Sequence, residues 1–180
     1  MEIWGFAFIL IFGTLGHFIF EWSGHRKWAG IFFAVNESTW EHIKLSIYPS
    51  FIWLIAEIAV RGFSHEIIIA QFASMVATML LIPGLFYGYT AITKKNWLIT
   101  DIICFVLSLA AGRWVFVKVF EAAPTSELLY FISVAGLISI LNLYFRYSYD
   151  PPHNFLFRDP VSGGFGPTGH DCHPHFHNLK

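Results

Sequence analysis

The run Val35-Asn36-Glu37-Ser38-Thr39-Trp40-Glu41-His42-Ile43-Lys44 sets two carboxylates, an imidazole, an amide, an indole and two hydroxyls into a chain that is 56% hydrophobic as a whole. Imidazole and carboxylate are the donors that a borderline divalent ion such as zinc accepts. Glu37 and Glu41 stand four residues apart with His42 beside them, and upstream His17 and Glu21 repeat that spacing. On a helix, residues four apart share a face. Two such pairs on packed helices would present oxygen and nitrogen donors to one ion. The expected ligand set for a divalent transition metal such as zinc is therefore Glu37, Glu41, His42, His17 and Glu21, with Asn36, Trp40 and Asp101 as polar support. An ion held there would activate water or be the transported species.

Each of these residues also has a structural reading. Ser38-Thr39-Trp40-Glu41 has the Ser-x-x-Glu form of a capping box, so Glu41 can serve a helix start alone. Glu57 precedes Arg61 by four residues, the spacing of an ion pair. Asp101 and Arg113 share a segment but stand too far apart in it to touch. His17 suits helix packing. His-Glu-x-x-His, Walker and Gly-x-Ser-x-Gly motifs are absent from the sequence, and no dinucleotide fingerprint stands in the strand-to-helix setting it needs, since Gly164-Phe165-Gly166-Pro167-Thr168-Gly169 lies in the Pro/Gly/His-rich tail.

A second group of donors closes the chain: His170, Cys172, His173, His175 and His177. Imidazole and thiolate at such spacing bind zinc, copper or nickel with little selectivity. Cys104 lies in an apolar run and Cys172 in this tail, which is no disulfide framework.

The elements that must position these residues are membrane segments. Only 13% of the 180 residues are charged, about half the usual share of a soluble domain, and ~20 apolar residues suffice to cross a bilayer. Five runs qualify: Ile3–Trp22, Leu45–Val60, Ile67–Tyr89 with Pro83-Gly84 near its end, Trp97–Phe120 and Leu128–Tyr147. Ala29–Ala34 is too short and fits an interfacial or re-entrant piece, and Pro49 predicts a kink. The N-terminus lacks the basic region and small-residue site of a cleavable signal, so the first run is expected to stay. The fold class is an all-α polytopic bundle of about five spans over residues 1–149, followed by a non-helical Pro/Gly/His-rich tail over 150–180.

Arg26, Lys27, Lys44, Lys94, Lys95, Arg146, Arg158 and Lys180 fall on one side of this arrangement, against Arg61, Arg113 and Lys118 on the other. The asymmetry predicts an inner-membrane protein with an external N-terminus and a cytoplasmic C-terminus. A net charge of -1 argues against nucleic acid as a partner. The expected partners are the lipid bilayer and either further membrane subunits or copies of the chain.

Four stretches carry a resemblance: Phe20-Glu21-Trp22-Ser23-Gly24, the Asn36–His42 motif with its flanks, Thr100-Asp101-Ile102, and Asp150-Pro151-Pro152 continuing to Phe157–Gly163. Together they resemble an uncharacterised family of small prokaryotic polytopic membrane proteins marked by Asn-Glu-Ser-x-Trp-Glu-His. The resemblance runs to about Gly166 and implies fold and location but no activity. A weaker similarity is to membrane hydrolases of the alkaline ceramidase type, which would imply zinc, although the paired histidines of later helices are missing here. Other readings stand beside a metal site: a non-catalytic accessory subunit, or haem or chlorophyll ligation through His17 or His42.

Overall fold

Serine caps set several of the helix starts. Ser38, Ser64 and Ser126 each accept the backbone N–H of the residue three further on, satisfying one of the donors that a helix start leaves open. The computed structural model describes residues 2–123 and 126–167. It contains α1 (Glu2–Trp22), α2 (Lys27–Phe32), α3 (Thr39–Arg61), α4 (His65–Thr93), α5 (Leu98–Glu121) and α6 (Glu127–Tyr147). All except α2 are long and apolar enough to cross a membrane, consistent with a multi-pass membrane protein. The all-α class and five spans are thus found, and among the described residues the only β pairing is the bridge between Arg158 and Phe165.

Two boundaries differ from the hydropathy reading. Helix α3 begins at Thr39 and not at Leu45, so most of the polar motif lies in the first turns of a spanning helix. Helix α4 runs through Pro83 to Thr93, its end marked by Lys94 in the left-handed region at φ 56°. The short apolar run before the motif folds as α2, which buries Ala29 and Gly30 and packs near α1, α3 and α6.

Helix α3 packs on α1 and α4, and α5 packs on the same two, so these four helices close a ring with α6 against α4. Lipid is as apolar as leucine, so close backbone approach and internal hydrogen bonding must hold such a bundle. Pro49 shows how this works. It lacks an N–H, which leaves the Leu45 carbonyl without a helical donor. Gly13 of α1 comes up against that same carbonyl, and a Cβ on residue 13 would stand 2.7 Å from its oxygen. At the α4–α5 crossing a Cβ on Gly112 would lie 2.1 Å from Thr78 Oγ1. Buried hydroxyls bond within their own helices, as Ser46 does to the Ile43 carbonyl and Ser50 to that of Ser46.

After α6 the chain turns back over the end of the bundle that carries the motif. The Trp40 N–H donates to the Leu156 carbonyl at 3.0 Å. The Trp40 ring stacks on Tyr144 at 4.3 Å between centroids and lies 4.6 Å from Phe157. The described part of the tail is therefore seated on the helices as turns.

Candidate functional site

Helix α1 delivers His17 about one turn from its C-terminal end, the loop after α2 delivers Glu37, and the first turn of α3 delivers His42. His17 Nε2 lies 3.2 Å from Glu37 Oε1, and His42 Nε2 lies 3.7 Å from Glu37 Oε2. One ligand atom from each residue can be chosen so that all lie within 4.8 Å of one another. Donors around tetrahedral zinc stand about 3.4 Å apart, given bonds of about 2.0–2.1 Å. A modest side-chain adjustment would bring the three to that spacing.

The protonation pattern suits ligation at one ring. His42 Nδ1 lies 3.0 Å from the Ser38 carbonyl. A carbonyl only accepts, so Nδ1 carries the proton and Nε2 presents its lone pair towards Glu37. A bare lone pair facing a carboxylate is repulsive, and a positive centre between them, proton or metal, removes the conflict. A second ring nitrogen held by a backbone carbonyl is also how metal-bound histidines are commonly oriented. His17 Nδ1 is buried with no hydrogen-bond partner. The cluster is open: side-chain exposure is 28% for His17 and 36% for both Glu37 and His42.

The loop bearing Glu37 is held from two sides. Asn36 Oδ1 accepts the Ser38 N–H at 2.9 Å, and its amide donates to the Gly166 carbonyl at 3.0 Å. Thr39 shares a hydrogen bond with the Tyr87 hydroxyl, which also donates to the Phe155 carbonyl.

Glu41, expected to face the same ion, points elsewhere. Its carboxylate accepts the Val35 N–H at 3.0 Å and pairs with Lys44 Nζ at 2.5 Å, with 3% and 0% of the two side chains exposed. Lys44 spends its other donors on the Gly30 carbonyl and Ser148 Oγ. The capping box is thus half formed: Ser38 accepts from Glu41, while the Glu41 carboxylate reaches past Ser38 to Val35. Lys44 was not among the expected site residues, although its spacing of three from Glu41 was visible. Next to this pair Tyr149 donates to the Lys27 carbonyl. Burial pushes its phenol above the ordinary value, and the Glu41 charge adds to the rise.

Glu21 is exposed one turn beyond His17 and is not part of the three-residue cluster. Trp40 serves packing. Asp101 accepts a hydrogen bond from the Tyr89 hydroxyl and so joins α5 to α4, away from the role expected of it. His170, Cys172, His173, His175 and His177 lie outside the described residues.

The model of a family of unknown function, DUF6512, matches residues 2–167. The chain belongs to this family. No curated protein and no solved structure matches it. In this DUF6512 protein the matched region contains His17, Glu37 and His42, whereas the His-rich tract follows it.

The other end of the bundle carries a second charged group. Arg113 of α5 pairs with Glu57 of α3 at 2.6 Å and with Glu2 of α1. Trp53 Nε1 donates to the same Glu57 oxygen at 2.8 Å, and Arg61 reaches Glu2 at 2.7 Å. The spacing-based partner of Glu57 was Arg61. The structure gives Glu57 to Arg113 instead, because α5 brings a guanidinium beside α3 that sequence distance conceals.

Proposed function

We propose that this DUF6512 protein is a multi-pass membrane protein that binds a divalent transition metal such as zinc. The ligands are His17 Nε2, His42 Nε2 and the Glu37 carboxylate. The reading rests on one observation, the convergence of these three donors from separate segments within 4.8 Å. Two histidines and a glutamate with a fourth position left for water or a passing ion is a known open zinc arrangement. The ordering of His42 by the Ser38 carbonyl and the partial exposure of all three side chains support it. The excess of Lys and Arg at the motif end favours the cytoplasmic side for this site and an external N-terminus.

Metal analysis of the purified full chain tests the proposal. The background is a variant with His170, Cys172, His173, His175 and His177 replaced by Ala, so that the tail contributes nothing. About one zinc per chain is expected, falling to background in His17→Ala and His42→Ala while helicity and elution volume hold. Zinc content unchanged by both substitutions would overturn the reading.

A further inference from the structure

We propose that a cavity at the motif end of the bundle binds the phosphate headgroup of an anionic membrane phospholipid. The site is separate from the His17–Glu37–His42 cluster and does not depend on the metal reading. The cavity measures about 350 Å³ and lies where the start of α3, the late turns of α4 and the turns after α6 meet. Thr39, Phe86, Tyr87, Phe155, Arg158 and Asp159 line it. Its volume falls within the range of sites that hold small organic groups. Its depth follows from helix length. With 29 residues α4 is about 44 Å long, against ~30 Å of hydrocarbon, so about 7 Å projects at each end when the helix is centred. Tyr87 precedes the last residue, Thr93, by six positions, or about 9 Å. The cavity therefore sits where hydrocarbon gives way to headgroups, the level at which aromatic rings collect.

The chemistry of the wall selects the ligand. Arg158 supplies its cation, and among the described residues the guanidinium has no ion-pair or hydrogen-bond partner. The arm lies over Gly163, where a Cβ would stand 3.4 Å from Nη2 and 3.9 Å from Nε. Asp159 is the opposing charge, yet it is wholly buried. Its Oδ1 accepts the Val161 N–H at 2.8 Å and its Oδ2 the Ser162 hydroxyl at 2.7 Å, which leaves the guanidinium as the accessible charge. The hydroxyls of Thr39 and Tyr87 bond to each other, and Tyr87 donates to the Phe155 carbonyl, so they close the wall without adding a free donor. A guanidinium fork matches two phosphate oxygens. Beside it stand the rings of Phe86 and Phe155, the latter 71% exposed, as an apolar surface for glycerol and the first methylenes of acyl chains. A phosphate joined to an apolar tail answers both features, whereas free phosphate answers only the first.

Native mass spectrometry of the purified full chain, released from a non-ionic detergent and titrated with dioleoylphosphatidylglycerol, tests the proposal. One tightly held lipid per chain is expected. Arg158→Gln keeps the length of the side chain, removes its charge and should weaken that lipid about 10- to 100-fold, the scale of a charge-assisted hydrogen bond. Phe155→Glu sets a carboxylate beside the guanidinium and should weaken it likewise. Lys95→Gln, at an exposed cation just past the end of α4, should leave affinity unchanged. Two further probes divide the ligand: dioleoylglycerol lacks the phosphate and inorganic phosphate lacks the tails. Each should bind at least about 10-fold more weakly than the phospholipid, since each forgoes one of the two contacts. No lipid retained by the parent, undiminished affinity in both Arg158→Gln and Phe155→Glu, or an equal loss in Lys95→Gln would overturn the proposal. So would dioleoylglycerol binding as tightly as the phospholipid. Inorganic phosphate binding as tightly would overturn the assignment to a lipid and make the cavity a site for soluble phosphate.

Discussion

The two ends of the helix ring solve opposite problems with the same residue types. At one end Glu2, Glu57, Arg61 and Arg113 form a group in which acids are matched by guanidinium groups and the central pair is almost wholly out of solvent. At the other, Glu37 stands between two imidazoles and all three side chains remain partly exposed. A charge in a bilayer is costly and pairs where it can. The first arrangement answers that cost by pairing within the bundle, while Glu57 Oε2 and Arg113 Nε and Nη1 stay buried without a hydrogen-bond partner among the described residues. The second keeps lone pairs and solvent access, as reversible coordination requires. The Glu41–Lys44 pair shows that the contrast is set by surroundings and not by depth. It lies within a turn of His42 yet is as closed as the distant group.

The contrast can be broken most directly by removing one member of a closed pair. Arg113→Leu leaves Glu57 buried without its counter-charge and should cost about 3–5 kcal/mol, as should Lys44→Met beside Glu41. Unfolding in mild detergent measures both. His42→Ala in metal-free protein should cost far less, and equal losses at the two ends would remove the distinction. Next in size, zinc at one hundred times its dissociation constant should stabilise the parent by about 2.7 kcal/mol. The same increment is expected in Arg113→Leu and none in His17→Ala, read as a shift in unfolding midpoint. Ser38→Ala removes the cap of α3 and should cost about 1 kcal/mol. Because Ser38 also positions His42 through its carbonyl, which alanine retains, zinc affinity should change little; a large loss would show that the site depends on the cap. Smallest of all, Lys118→Ala opens an exposed pair with Glu121 and should fall within about 1 kcal/mol of the parent.

The spans were legible because a run of ~20 apolar residues with few charges has few other uses. The cap at Ser38 was legible too, since Ser-x-x-Glu is a local signal. Pairing between segments was not. Glu57 found Arg113, which is 56 residues away, and sequence spacing offered only Arg61. Of the expected ligands, His17, Glu37 and His42 meet; the Ser-x-x-Glu pattern gave Glu41 a capping role that Glu37 lacks, yet it did not show that Glu41 would be closed off from an ion. That closure depends on Lys44, Gly30 and Ser148 meeting around one carboxylate, with Ser148 coming from 104 residues downstream of Lys44. Asp101 looked available because its partner, Tyr89, sits in the preceding helix among ordinary interfacial aromatics.

The hydrogen bond from Asn36 to Gly166 spans 130 residues. A ribosome adding about 5–20 residues per second needs about 7–26 s to cover that interval. Throughout it the loop of Glu37 exists without the contact that later braces it, while four more spans are still being made and inserted. The order of biosynthesis therefore makes the brace one of the last contacts to form. A chain halted before residue 166 would have all its helices and both histidines, but its loop would be fastened on one side alone.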